Sequence, residues 1–264
     1  MVRGRSAAEP LAGTLARMRA TLYGLSFSHP SLAVRLALER KGIEHRVVDL
    51  LPGMHPLQLR MHGFRGATVP AVKIDGRRLQ GSRLITGLLD SVTSEPRLFP
   101  AEPAARRAVI DAERWGEQAL QPVPRRLFRW CTTHSGQVRR WMAAEVGMPL
   151  PGVMAAVNAP VAAAFARKST ATDERVRADL SELPSLLDRV DALIDAGTIG
   201  AEEPNAADFQ IGTSVRALGA FGDLAPYLAG RPATQLAMRL LSDFPGPIPA
   251  TLPRAWLPAG GGRA

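Results

Sequence analysis

The hydrophobic pattern of this chain changes once, and that change limits the folds open to it. Up to about residue 90, short apolar runs of strand type alternate with segments of helical period. From about residue 104 onward only helical spacing is found. Between them lies SVTSEPRLFPAEP (91–103), with three prolines. Proline neither continues a helix nor donates to a sheet, so this stretch reads as a boundary. The order calls for a small α/β unit followed by an all-α unit. We place an N-terminal extension at 1–18, an α/β domain at 19–92, a linker at 93–103, a helical domain at 104–244 and a proline- and glycine-rich tail at 245–264.

The first domain reads β-α-β-α-β-β-α. TLYGL (21–25) is a short apolar strand. After Ser28-His29-Pro30, the run LAVRLALERKG places apolar residues on one helical face and ends at Gly42. Ser28 is a good N-cap residue, and a proline in the first turn suits a helix start. IEHRVVDL (43–50) is a second strand, and His55–His62 is a short helix. A β-branched run from Thr68 to Ile74 carries Pro70. Asp75-Gly76 is a strong two-residue hairpin signal leading to Arg77–Gln80. Ser82 then caps a third helix, RLITGLLDSV. In the second domain, ERWGEQAL, RRLFRW, VRRWMAAEV and VRADLSELPSLLDRVDALI all carry apolar residues three and four apart. The apolar segment around 150–166, broken by Pro151, Asn158 and Pro160, reads as a buried or interface helix rather than a membrane element. Asn205-x-x-Asp208 has capping-box spacing, so both residues are expected to be structural. Trp256 is expected to pin the tail, with Gly260–Ala264 loose.

Composition removes several function classes. Of 264 residues one is cysteine, Cys131. An intrachain disulfide, a zinc ribbon and a CxxC redox site are excluded, and no metal site is expected. No apolar run is long enough to span a membrane, and the start lacks the apolar core of a secretory signal, so a cytoplasmic protein is expected. The chain has 33 Lys+Arg against 24 Asp+Glu, a net charge of +9. The excess is local: residues 1–90 hold 14 basic and 6 acidic residues, the remainder 19 and 18. A basic balance invites a nucleic-acid reading. The basic third, however, has only Tyr23, Phe27 and Phe64 as aromatics and no nucleic-acid motif, so no nucleic-acid partner is expected. A small anionic ligand fits the same charge.

Three pieces in order, LYGLSFSHPSLAVRLALERKGIEH, TVPAV and DGRRLQGSRLI, resemble the thioredoxin-like domain of glutathione S-transferases. LIDAGTIGAEEPNAADFQIGTSVRAL resembles the capped helix of their helical domain, with Asn205 and Asp208 in the capping box. The resemblance spans roughly residues 19–244. Met18 stands where such a protein begins, so the start is expected either at Met18 or at Met1, with 1–17 a helical or disordered arm.

The resemblance implies a glutathione S-transferase fold, a cytoplasmic homodimer and a detoxification role. It implies transfer of glutathione, or a related low-molecular-weight thiol, to a hydrophobic electrophile. Ser28 falls on the serine that stabilises the thiolate, with Ser26 and Ser31 as runners-up. Val69 and Pro70 fall on the cis-proline segment whose backbone pairs with the peptide part of the thiol. Ser82 falls on the serine that holds the γ-glutamyl carboxylate, and Gln80 and Arg83 flank it. His29, His55 and His62 are candidates for contacting the sulfur or a second substrate, and Arg65, Arg77 and Arg78 for its carboxylates. Trp115, Phe128, Trp130 and Trp141 are candidates for an apolar wall or for core. One departure stands out: the family has Glu or Asp immediately before the binding serine, and here the residue is Gly81. A different thiol, or a binding protein without catalysis, therefore stays open beside the transferase reading.

Overall fold

The computed structural model describes residues 18–258. The expectations for residues 1–17 and for Gly260–Ala264 lie outside the described residues. The chain divides into two compact units between Leu98 and Phe99.

In the first unit, strands β1 (Arg19–Gly24), β2 (Glu44–Asp49), β3 (Ala71–Ile74) and β4 (Arg77–Gln80) form one sheet in the order β2-β1-β3-β4. β2 runs parallel to β1, which is possible because helix α1 (His29–Arg40) supplies the crossover. β3 runs antiparallel to both β1 and β4. Helices α2 (His55–Met61) and α3 (Ser82–Val92) complete the unit. Successive strand residues face opposite sides. Leu22 and α1 residues Leu32 and Arg35 wall a common cavity. Tyr23 joins Leu50, Leu59, Phe64 and Ala71 in a buried cluster. Asp75 (φ 45°) and Gly76 (φ 80°) make the tight turn between β3 and β4, as the hairpin signal requires.

One ion pair closes this unit. Lys41 follows α1 with its side chain fully buried. Its Nζ donates to Thr93 O at 2.8 Å and to Asp90 Oδ1 at 3.4 Å. Asp90 Oδ1 also accepts the Leu98 N–H at 2.9 Å. The end of α1, the end of α3 and the chain leaving the unit are thus held at one point. Burial is the larger influence on Lys41 and lowers its pKa from the ordinary 10.5, while Asp90 opposes that shift.

The second unit contains α4 (Pro103–Trp115), a π-helical turn (Gly116–Leu120), α5 (Pro122–His134), α6 (Gly136–Glu145), α7 (Pro151–Val157), α8 (Ala159–Lys168), α9 (Asp173–Asp195), α10 (Ala206–Leu218), α11 (Ala225–Leu228) and α12 (Pro232–Leu240). Pairing between extended segments here is confined, among the described residues, to a bridge between Phe221 and Ile248. No described helix is long and apolar enough to cross a membrane. Of the 13 residues of α10 only Arg216 is not buried. A helix enclosed on all sides is a core element. Its first turn is fixed by reciprocal bonds. Asn205 Oδ1 accepts from the Ala207 and Asp208 N–H groups, and Asp208 Oδ2 accepts the Asn205 N–H at 2.8 Å. Asp208 Oδ1 takes the Gly200 N–H at 2.6 Å as well. Burial raises the Asp208 pKa, and these two N–H groups and Arg239 act in the other direction.

Arg126 makes two 2.5 Å bonds to Asp179, tying α5 to α9. The tail is anchored within the unit: the Trp256 ring lies 5.3 Å from that of Trp130 and beneath the Arg177 guanidinium. Tyr227 donates to Pro258 O at 2.8 Å. Cys131 is buried, and burial, with Asp223 adding to it, pushes its thiol up to about 12. The apolar segment around 150–166, expected as a buried or interface helix, is not buried as one piece. It breaks at Asn158 into α7 and α8, and Leu150, Val153, Val157 and Val161 are exposed. The prolines shorten each helix to a few turns, and only Ala155 and Ala166 of the two are buried.

Two stability measurements check these assignments. Lys41→Met removes the buried ammonium that faces Asp90 and the Thr93 carbonyl and is expected to cost about 3–5 kcal/mol in urea unfolding. The unfolded chain keeps the Lys41 proton to higher pH than the folded chain. Wild-type stability should therefore gain on the variant as pH rises toward 10.5. Asp208→Ala removes the cap partner and strands two N–H groups, and should cost about 2–4 kcal/mol.

Candidate functional site

The strand register gathers three connections at one end of the sheet. Tyr23 pairs with Ala71, and Ala71 with Gln80. Gly24 is therefore followed by the loop to Ser28, Ala71 is preceded by Val69-Pro70, and Gln80 is followed by Gly81-Ser82, all at this end. The Val69–Pro70 bond is cis. Pro70 has no N–H to give a ladder, and β3 begins only at Ala71, not at the Thr68 expected from the β-branched run. The Pro70 carbonyl instead accepts the Gly81 N–H at 3.0 Å, which joins this segment to the start of α3. No bond between described backbone groups takes up the Val69 N–H or C=O.

Ser28 is the N-cap of α1 in extended geometry, yet its side chain makes no capping bond. The sequence explains this. A cap hydroxyl accepts from the N–H two or three residues on. Two residues on is Pro30, which has no N–H. Three residues on is Ser31, whose N–H bonds the Ser28 carbonyl at 2.8 Å. Ser28 Oγ is thereby released from capping at the helix end, where the positive dipole lies. Its side-chain bond is with Ser31, 3.0 Å from oxygen to oxygen. Ser31 and Ser26 also line the cavity of about 220 Å³ shared by Leu22, Leu32, Arg35 and Asp49.

The other candidates fall into distinct places. Ser82 is buried, but it is the first residue of α3, and the cap position is Gly81. Gly81 has φ 96°, a conformation that glycine adopts freely and other residues do not. Arg83 follows as the second residue of the helix. The Gln80 amide is committed at both ends: its oxygen accepts the Gly66 N–H at 2.8 Å and its nitrogen donates to Thr68 O at 3.1 Å. It braces the loop before Pro70. His29 and His55 are buried at the starts of α1 and α2. His62, exposed after α2, lies against Tyr23 with ring centroids 4.6 Å apart. Arg77 pairs with Ile74, which pairs with Ala20, so it sits at the far end of the sheet from Gly81. Arg78 donates to His62 O at 3.1 Å. Arg65 is exposed.

Of the aromatics proposed for an apolar wall, Trp130 is core: it is buried, donates to Asp173 and stacks on His134. Trp115 lies under the Arg189 guanidinium, and Phe128 and Trp141 meet edge to face. No group of three or more potential metal ligands occurs among the described residues. Sequence reasoning missed the bond between Ser28 and Ser31, although the Ser-x-x-Ser spacing across a helix start was its visible sign.

This arrangement has counterparts. Residues 22–97 match the family model of the glutathione S-transferase N-terminal domain. No curated protein sequence matches the chain. Among solved structures, a glutathione S-transferase from Sinorhizobium meliloti is 20% identical with a TM-score of 0.57, covering 92% of this chain and 96% of its own. A beta-etherase from Sphingobium is 18% identical with a TM-score of 0.56, covering 86% and 96%. A maleylacetoacetate isomerase from Anaeromyxobacter dehalogenans, with dicarboxyethyl glutathione and citrate bound in its active site, is 23% identical with a TM-score of 0.50, covering 84% and 90%. The fold is that of the glutathione S-transferases, a thioredoxin-like domain followed by a helical one. Residues 22–97 are thus similar to the glutathione S-transferase N-terminal domain, and the chain as a whole shares the glutathione S-transferase fold.

The backbone at Gly81 gives a direct check. Gly81→Ala must hold a Cβ at φ 96° and is expected to lose about 1–2 kcal/mol of stability by thermal or urea unfolding.

Proposed function

We propose that the protein binds glutathione, or a related low-molecular-weight thiol, and transfers it to a hydrophobic electrophile. The observation that carries this reading is the Ser28 hydroxyl, released from capping at the N-terminus of α1. A thiol is a weak nucleophile until it loses its proton. The end of α1 favours the resulting anion through its dipole. Ser28 donates its hydroxyl hydrogen to the sulfur and stabilises the thiolate. The Val69 backbone, which bonds no other described backbone group, takes the peptide part of the thiol as an added strand. Ser82 and the first turn of α3, with Arg83 beside them, receive its γ-glutamyl carboxylate. The thiolate attacks the electrophile, a carbon–sulfur bond forms, and the displaced group or the electrophile's electron pair takes up a proton.

Gly81 favours a second reading, a binding protein without turnover. The family's acidic residue at this position would pair with the γ-glutamyl ammonium, and Gln80 is occupied with the loop. Loss of one charge-assisted contact is worth about 1.5–3 kcal/mol, or roughly a tenfold to hundredfold weaker thiol. We further propose a cytoplasmic homodimer. The exposed Met54, Leu57 and Met61 on and beside α2 support it as apolar surface open to a second copy.

Calorimetry with glutathione, followed by turnover of a generic aromatic electrophile, separates the two readings. Ser28→Ala should lower kcat/KM about tenfold to hundredfold while thiol affinity changes less than threefold. Unchanged turnover in this variant would remove Ser28 from its role. Thiol binding with no turnover in the wild type would favour the binding protein. Gly81→Glu should tighten glutathione about tenfold while lowering stability, since the new carboxylate comes with backbone strain.

A further inference from the structure

The Ser28 hydroxyl does not stand alone, and its partner decides which way its proton points. Ser31 Oγ lies 3.0 Å from Ser28 Oγ. A hydroxyl has one proton to give and two lone pairs to receive. If Ser28 donated to Ser31, its proton would be turned away from any sulfur. If Ser31 donates, Ser28 keeps its proton for another acceptor. A thiolate accepts and cannot donate, so with a thiolate present the chain of bonds runs from Ser31 to Ser28 to sulfur.

Ser31 is built to hold this geometry. Its residue is 4% exposed, and its backbone N–H is tied to the Ser28 carbonyl. On its other side it rests on Gly24, where an added Cβ would meet Ser31 Cβ at 3.0 Å and Oγ at 3.1 Å. The missing side chain at the end of β1 is what lets Ser31 approach.

We propose that Ser31 is a positioning residue for this site, donating to Ser28 Oγ and so directing the Ser28 proton at the bound thiolate. Donation into Ser28 also polarises its O–H, since consecutive hydrogen bonds strengthen one another. The inference rests on the Ser28 role given under Proposed function. It concerns a residue one turn away that touches Ser28 rather than the substrate.

The test reads the ionisation of the bound thiol, which a merely structural role would not move. Glutathione is bound to the full chain and its thiolate absorbance near 240 nm is titrated with pH. Ser31→Ala should lower the acid dissociation constant of the bound thiol about three- to tenfold, a rise of roughly 0.5–1 pKa unit. Glutathione affinity, measured by calorimetry below that pKa, should change less than twofold. Ser31→Thr keeps the hydroxyl, so it should return the titration to wild type. In a Ser28→Ala background, Ser31→Ala should shift nothing further, whereas a general disturbance of the fold would shift both backgrounds alike.

A wild-type titration in Ser31→Ala, beside a raised one in Ser28→Ala, overturns the Ser31 inference and leaves the Ser28 reading standing. An equal shift in both backgrounds also overturns it. No change in Ser28→Ala, or no thiolate band in the wild type, overturns the Ser28 reading and Ser31 with it.

Discussion

Proline has no N–H, and the first unit is organised around that fact at Pro70. Within the strand order β2-β1-β3-β4, β3 cannot extend its ladder back past Ala71. The carbonyl of Pro70 then faces a choice of partner and takes the Gly81 N–H. One hydrogen bond thus couples the segment entering β3 to the segment entering α3. The β1 loop arrives at the same end because Tyr23 is in register with Ala71. The candidate site is a consequence of where the sheet stops, and the residues at it come from three separate stretches of sequence.

Much of this was readable beforehand. Hairpin and helix starts follow from local chemistry: Asp75-Gly76 for the turn, Pro30 for the first turn of α1, Asn205-x-x-Asp208 for α10. Such signals act within a few residues, and a single sequence displays them. What could not be read depends on contacts between distant residues. The fate of Gln80 is set by Gly66 and Thr68 across the sheet end, and nothing near Gln80 in sequence announces it. Arg77 lies close to Ser82 in sequence, but the strand between them carries it to the other end of the sheet. Gly81 reads as the loss of a carboxylate. Its φ of 96° adds that the position also relieves backbone strain.

The basic excess of the first third meets a similar fate. Arg78 is used to hold the His62 carbonyl, Arg65 and Arg77 are solvated, and Lys41 is buried against Asp90 and Thr93. Charges that look like one patch along the sequence serve several separate structural ends. Lys41 is the clearest case. By position it is an ordinary polar residue after a helix. In the fold it joins two helix ends and the exit of the chain, a role that only tertiary structure assigns.

Cys131 has a consequence for how this protein meets its surroundings. Its thiol, held near 12 by burial, is ionised in roughly one molecule in 100,000 at pH 7. A thiol-reactive electrophile in solution therefore meets no ready thiolate on the chain itself, because its one cysteine is both buried and protonated.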